Sequence, residues 1–144
     1  MKCINISWKE LEELASSISE DVKASPIEPK YLFAVDQQSL VPAMLLSRKL
    51  GIPIIDNCKK SYTLFVCAVA REGKSLIAAT DKANCFVTVA FVLKEGASFV
   101  PDFVGQTIGM GDWAVFPWSK EDEQVQVNMC STSFSNIVEK IRGE

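Results

Sequence analysis

Four short, nearly continuous apolar runs constrain the fold of this chain more than any other feature. They span residues 31–35, 52–55, 63–70 and 86–93. Such runs are typical of strands covered on both faces, as in parallel sheets. Helical patterns separate some of them. The sequence therefore predicts an α/β fold of three layers, with an open, mostly parallel sheet flanked by helices.

The helices have recognisable ends. Ser7 and Glu10 form a capping box, which predicts a helix over residues 8–24. A second helix has Pro42 near its first turn and Gly51 as its stop. We also predict a short helix over residues 75–82, an extended segment over residues 112–118, and a C-terminal helix that carries Phe134, Ile137, Val138 and Ile141.

Composition limits the function classes. The 144 residues predict one domain over residues 1–144, and a net charge of −3 gives no reason to expect nucleic acid or an anionic membrane as partner. No apolar run reaches the ~18 residues of a membrane span and no targeting segment is evident, so we expect a cytoplasmic protein. The chain has no histidine, and its five cysteines form no Cys-x-x-Cys pair, so no metal site is predicted.

Ligands of open parallel sheets bind outside the carboxyl ends of the strands. Two predicted loops lie there, over residues 36–39 and 69–75. The second satisfies a relaxed P-loop pattern, in which Ala68 is followed by Gly73, Lys74 and Ser75. A nucleotide hydrolase, however, needs a glycine in place of Ala68 and a later strand that ends in aspartate, whereas the only later candidate ends in Lys94. These departures argue against a P-loop.

Several stretches together resemble the type I phosphoribosyltransferases, in particular the small purine enzymes of the xanthine–guanine type. Residues 33–46 have the sequence FAVDQQSLVPAMLL, which is similar to the family's strand, Arg-Gly-Gly turn and Leu-Val-Pro-Ala helix. PDFVG at 101–105, DW at 112–113 and FPW at 116–118 look like its base-binding region. The resemblance covers roughly residues 6–118 and implies a single domain of the phosphoribosyltransferase type.

The resemblance aligns residues 63–76 with the family's motif for phosphoribosyl pyrophosphate (PRPP). In the family, two acids follow the strand, hold the ribose hydroxyls and organise magnesium. Here Cys67 and Ala68 stand in their places, and neither offers the oxygen ligands that magnesium needs. The loop continues with Arg71, Glu72, Gly73, Lys74 and Ser75, of which the last three keep the family pattern. The resemblance therefore implies a degenerate PRPP motif.

Two further departures point the same way. Asp36, Gln37, Gln38 and Ser39 replace the family's pyrophosphate loop and contain neither arginine nor glycine, so we regard this loop as degenerate too. Residues 56–62 form a short connection where the family has a long, closing lid. With these parts missing, no residue of the chain is assigned a catalytic role.

The remaining features of the candidate site suggest that the chain binds a ligand. The loop Arg71 to Ser75 can hold a phosphate with backbone amides, the helix dipole and two cations, and the resemblance implies the 5′-phosphate of a nucleotide. The resemblance also implies that Lys94 contacts the exocyclic oxygen of a purine, and that Trp113 and Ala114 contact the base. Plainer alternatives stay open: solvated charges at Arg71, Lys74 and Lys94, a core tryptophan at Trp113, and a turn residue at Asp36.

Three hypotheses follow. The first is a catalytically degenerate phosphoribosyltransferase-like protein that binds a nucleotide or another small phosphate-bearing ligand without a cofactor. The second is an active purine phosphoribosyltransferase that uses PRPP, in which case magnesium is required. The third is an oligomerising scaffold without a small ligand. Members of the resembled family often form dimers, so we expect a homodimer.

Overall fold

The computed structural model of the chain describes residues 2–57, 61–70, 86–97 and 100–119. These residues contain six strands and two α-helices. In chain order they are β1 (Cys3–Asn5), α1 (Trp8–Ala24), β2 (Tyr31–Ala34), α2 (Leu40–Leu50), β3 (Thr63–Ala70), β4 (Phe86–Lys94), β5 (Phe103–Ile108) and β6 (Trp113–Val115). A 3-10 turn, Gln37–Ser39, leads into α2.

The strands form two parallel groups. One sheet has the order β2-β3-β4-β5, and β1 pairs with β6 separately. All the paired strands are parallel. The predicted α/β fold with a parallel sheet flanked by helices is confirmed. The carboxyl ends of β3, β4 and β5 lie at one level, since Ala70 pairs with Leu93 and Lys94 pairs with Ile108. β2 ends earlier, with Ala34 opposite Val66.

The two helices begin and end where the sequence predicts. Ser7 caps α1, since its Oγ accepts a hydrogen bond from the amide of Glu10 at 3.1 Å. Gly51 ends α2 with a φ of 71°, a left-handed conformation that glycine adopts without a Cβ clash. Within the described ranges, no helix has the length and apolar character to cross a membrane.

The two helices of the described residues pack on one face of the sheet. α1 contacts β4 and β5, α2 contacts β2 and β3, and the helices contact each other. Leu11, Ile18 and Leu46 from the helices are fully buried in one cluster with Leu64 and Phe91 from the strands. A second cluster, which includes Phe65 and Ala90, is also buried. Burial of alternate residues on both faces explains why β3 and β4 are mostly apolar.

The backbones of β4 and β5 approach closely at Gly105. A Cβ on this residue would lie 2.5 Å from the carbonyl oxygen of Phe91, closer than a real Cβ contact allows. Glycine is therefore required at the centre of β5, because any side chain would push these strands apart.

The structure corrects one predicted strand and adds two. Residues 52–55 form only an isolated bridge, Leu32↔Ile54, because the segment shares just two hydrogen bonds with Leu32 and Pro53 has no amide hydrogen to donate. β1 and β5 were not predicted, and only residues 113–115 of the predicted extended segment form a strand. The predicted helices over residues 75–82 and around Phe134 to Ile141 lie outside the described residues.

Candidate functional site

β2, β3 and β4 are neighbours in the sheet and run in the same direction, so their carboxyl ends face the same edge, although β2 ends earlier, opposite Val66. Asp36 follows β2 closely, Ala70 ends β3, and Lys94 ends β4. Ligand sites of open parallel sheets are found at this edge. The edge is therefore the candidate site, and both its acidic and its basic groups come from strand ends.

At the end of β2, the side chain of Asp36 closes the loop that leads into α2. Its Oδ1 accepts hydrogen bonds from the amide of Ser39 at 2.9 Å and from the hydroxyl of Ser39 at 2.5 Å. Asp36 is thus the N-cap of the 3-10 turn. A negative charge at the start of a helical segment is also favourable for the helix dipole. The four residues Asp36, Gln37, Gln38 and Ser39 therefore form a compact turn.

Ser39 links this turn to the neighbouring strand. It is fully buried, and its Oγ accepts a hydrogen bond from the amide of Ala68 in β3 at 2.9 Å. The hydroxyl donates to Asp36 and accepts from Ala68, so both of its roles are fixed. The adjacent Cys67 is 2% exposed, and its Sγ donates to the carbonyl oxygen of Val69 at 3.1 Å. Cys67 and Ala68 thus belong to the buried strand.

At the end of β4, Lys94 lies over the indole of Trp113. Its Nζ is 4.4 Å from the ring centroid, within the range of a cation–π contact. Lys94 is half-buried and Trp113 is 7% exposed, so the pair is partly shielded from solvent. The structure therefore brings together two residues that the family resemblance assigned to the base-binding site. Ala114 follows Trp113 in β6 and is half-buried.

Strand pairing and a closed turn fix the position of Trp113. Its amide donates to the carbonyl oxygen of Lys2 at 2.9 Å, and β6 pairs with β1 so that Cys3 lies opposite Trp113. The turn before it is closed by Asp112, whose Oδ2 accepts from the amide of Gly109 at 3.1 Å. Sequence reasoning missed these supports. The Gly-Met-Gly-Asp sequence at 109–112 was the available turn signal.

The predicted phosphate loop, Arg71, Glu72, Gly73, Lys74 and Ser75, lies outside the described residues. In the part of the chain that the structure describes, no group of three or more histidine, cysteine, aspartate or glutamate side chains could hold a metal ion. The described part of the candidate site therefore consists of the ends of β2 and β4 together with β6.

Comparison with known proteins identifies the fold through solved structures. No protein-family model matches the sequence, and no curated protein matches it significantly. A purine phosphoribosyltransferase from Pyrococcus horikoshii superposes with a TM-score of 0.73 at 21% identity, over 83% of this chain and 96% of that one. The Helicobacter pylori xanthine-guanine-hypoxanthine phosphoribosyltransferase gives 0.69 at 15% identity, over 85% and 96%.

The chain has a type I phosphoribosyltransferase-like fold. A hypothetical protein from Neisseria gonorrhoeae with bound ppGpp is similar as well, with a TM-score of 0.70 at 13% identity over 86% of this chain and 93% of that one. The phosphoribosyltransferase-like fold confirms the architecture that the sequence resemblance implied. In this fold, Asp36 follows β2 and Lys94 ends β4 on the carboxyl side of the same sheet, and Lys94 contacts the ring of Trp113.

Proposed function

We propose that this chain is a catalytically degenerate phosphoribosyltransferase-like protein that binds a purine nucleotide or a similar phosphate-bearing ligand at the carboxyl edge of its sheet. The Lys94–Trp113 pair carries the proposal. An ammonium group held 4.4 Å from a buried ring at a strand end is placed in advance of any ligand. Such preorganisation reduces the entropy lost on binding.

The chemistry of the pair suits the carbonyl oxygen of a purine. A lysine ammonium carries three N–H donors and no acceptor, and a carbonyl oxygen accepts such donors. The ring quadrupole stabilises the charge of Lys94 where the half-buried position weakens its hydration. The six-membered ring of guanine and of hypoxanthine carries an exocyclic oxygen at the carbon where adenine carries an amino group. We therefore expect Lys94 to favour guanine and hypoxanthine nucleotides.

The proposal assigns no transfer chemistry to the chain. Cys67 and Ala68 stand where the resemblance expects two acids, and Cys67 is buried with its thiol directed to the carbonyl oxygen of Val69. Neither side chain supplies an oxygen for magnesium. In the proposal, the phosphate of the ligand lies at residues 71–75 and the base lies at Lys94 and Trp113, with Ala114 behind the ring.

The similar solved structures support a nucleotide as ligand. Two are purine phosphoribosyltransferases, and the Neisseria protein contains bound ppGpp, a guanine nucleotide. Similarity to these proteins therefore supports a purine nucleotide, more than another phosphate-bearing compound, as the ligand of this chain. The cytoplasmic location and the homodimer remain predictions, and light scattering of the purified chain would measure its oligomeric state.

Calorimetric titration with GMP, IMP, AMP and ppGpp tests the proposal. We expect GMP or IMP to bind more tightly than AMP, and Lys94→Gln to weaken GMP binding by about tenfold, since a hydrogen bond to a charged group contributes roughly 1.5–3 kcal/mol. Lys30→Gln is the matched control. Lys30 also lies over an aromatic ring, that of Tyr62 at 5.1 Å, but at the amino end of the sheet. The absence of binding by all four nucleotides would refute the proposal.

The active transferase is the second candidate, and its support is the fold shared with purine phosphoribosyltransferases. An assay with PRPP, magnesium and guanine or hypoxanthine separates it from binding alone. We expect no release of pyrophosphate above the rate without protein. Magnesium-dependent turnover would overturn the degenerate assignment and leave the placement of the base at Lys94 open to the same mutational test.

A further inference from the structure

We propose that the outer edge of β5 is an interaction surface on which a second copy of this chain pairs in antiparallel orientation, so that the sheets of two copies join into one. This surface, the β5 edge, consists of the backbone amides and carbonyls of Phe103, Gly105 and Thr107. The interface is inferred from the strand arrangement alone and is independent of the proposed nucleotide function. The family resemblance implied a homodimer but no surface for it.

The β5 edge is the unpaired side of the four-stranded sheet. β5 is the last strand in the order β2-β3-β4-β5 and pairs only with β4 among the described strands. The carbonyl oxygen of Ile108 accepts from the amide of Glu95, so the backbone of Ile108 faces β4. Successive residues of a strand direct their backbone groups to opposite sides. Those of Phe103, Gly105 and Thr107 therefore point away from β4, and they form no hydrogen bond with another described residue.

The opposite edge of the sheet, at β2, is covered by the chain itself. The amide of Leu32 donates to the carbonyl oxygen of Pro53 at 2.9 Å, and the carbonyl oxygen of Leu32 accepts from the amide of Ile55 at 2.8 Å. Pro53 has no amide hydrogen to offer to a further strand. Proteins commonly protect an edge strand with a covering segment or a proline. One edge of this sheet has both, and the β5 edge has neither.

The sequence of β5 also lacks the features that protect an edge strand. Its six residues, FVGQTI, include no charged residue and no proline. The pairing with β4 runs from Phe103 to Ile108 without a bulge. Thr107 is exposed, and Phe103 and Gly105 are half-buried, so the edge is accessible. An accessible, regular and uncharged edge favours pairing with another strand.

A second copy of β5 fits this edge in both backbone and charge. With a twofold axis at Gly105, each Gly105 faces its counterpart. Phe103 then faces Thr107, and Val104 faces Gln106. The Gly105 pair and the two Phe103–Thr107 pairs exchange two hydrogen bonds each, about six in all, which satisfies every outward backbone group. No charged side chains of the two strands lie opposite each other, and no side chain lies on the axis.

Sedimentation velocity of the wild-type chain, Thr107→Pro and Thr107→Val over a dilution series tests the interface. Proline removes the outward amide hydrogen of residue 107, and by symmetry each copy loses one donor. Proline is tolerated on edge strands where the amide does not face the sheet. Valine keeps the amide and nearly the same shape, so Thr107→Val is the matched control. Circular dichroism checks that each variant is folded.

We expect the wild type and Thr107→Val to dimerise with equal affinity, and Thr107→Pro to dimerise at least about tenfold more weakly, since one hydrogen bond is lost from each copy. A wild-type chain that stays monomeric up to its solubility limit would overturn the interface. A folded Thr107→Pro that dimerises as tightly as the wild type would also overturn it, because the copies would then join at another surface.

Hydrogen exchange of the wild-type chain tests the same interface without a variant. The outward amides of Phe103, Gly105 and Thr107 should exchange more slowly above the dissociation constant of the dimer than below it. The amides of Val104 and Gln106 face β4, so their exchange should change little with concentration. Dimerisation with unchanged exchange at the three outward amides would overturn the interface, even if Thr107→Pro did not fold.

Discussion

Each end of the four-stranded sheet has a carboxylate that accepts hydrogen bonds from a buried hydroxyl. At the carboxyl end, Asp36 accepts from the amide and hydroxyl of Ser39. At the amino end, Asp102 accepts from the amide of Thr88 at 2.9 Å and from its hydroxyl at 3.1 Å. Ser39 is 0% and Thr88 1% exposed, so the two clusters are also alike in burial.

Each end also has a lysine over an aromatic ring. Lys94 lies over Trp113 at the carboxyl end, and Lys30 lies over Tyr62 at the amino end. The two pairs differ in burial: Trp113 is 7% exposed, whereas Tyr62 is 62% exposed.

Side-chain chemistry alone therefore does not identify a ligand site in this sheet. The same carboxylate–hydroxyl and lysine–ring arrangements occur at both ends, but only one end is where ligands of parallel sheets bind. Burial adds a second distinction, because a shielded cation interacts more strongly with a ligand than a solvated one. Mutations at matched positions should therefore change stability at both ends and ligand binding at one.

The largest effect is expected from Gly105→Ala, in the middle of β5. The new Cβ would lie 2.5 Å from the carbonyl oxygen of Phe91, and a backbone atom cannot move aside cheaply. We expect a loss of about 3 kcal/mol in the free energy of unfolding, measured by urea denaturation. Since both ends depend on this sheet, ligand binding should weaken as well.

Gly111→Ala is the control for this change. A Cβ at Gly111 would meet no atom within 4 Å, and the residue is exposed in the turn before β6. We expect a change below about 0.5 kcal/mol. If Gly105→Ala were equally mild, the close approach of β4 and β5 would not hold in solution.

Ser39→Ala should have the next largest effect. It removes the acceptor for the buried amide of Ala68 and the hydroxyl donor to the Asp36 carboxylate, and it leaves the backbone amide of residue 39 as a donor. An unsatisfied buried amide costs about 1–3 kcal/mol, so we expect a loss of about 2 kcal/mol in urea denaturation. Ser17→Ala, at an exposed position of α1, is the control and should change stability by less than about 0.5 kcal/mol.

Asp102→Ala breaks the matching cluster at the amino end. It removes the acceptor for the amide and hydroxyl of Thr88. Asp102 itself is exposed, so water can replace part of the loss, and we expect about 1.5 kcal/mol. Nucleotide affinity should stay within twofold of the wild type, as measured by calorimetry. A selective loss of nucleotide binding in the folded variant would contradict the assignment of the amino end as structural.

Much of the fold could be predicted because its signals are local. The capping box at Ser7, the left-handed stop at Gly51 and the apolar runs of β3 and β4 each depend on residues near in sequence. β1 was missed because it has three residues and exists through its pairing with β6, more than a hundred residues later. β5 was missed because glycine and glutamine interrupt its apolar pattern.

The candidate site, like the fold, could be predicted only in part. The resemblance assigned Lys94 and Trp113 to the base separately, but their contact depends on how the turn after β5 returns the chain to β1. The hydrogen bond from Ala68 to Ser39 joins residues 29 positions apart, and no periodicity indicates it. Long-range contacts of this kind follow from the packing of the sheet, which sequence patterns describe only as a topology.

The smallest effects on stability are expected from the two lysines, and they give the sharpest comparison. An exposed cation–π contact contributes about 0.5–1 kcal/mol and a desolvated one up to about 2. We therefore expect Lys30→Gln to lower the free energy of unfolding by about 0.5 kcal/mol and Lys94→Gln by about 1 kcal/mol, because Lys94 and its ring are more buried. Urea denaturation of both variants under one set of conditions measures the difference. Equal losses would mean that burial does not separate the two pairs, and only the ligand titrations could then distinguish the ends of the sheet.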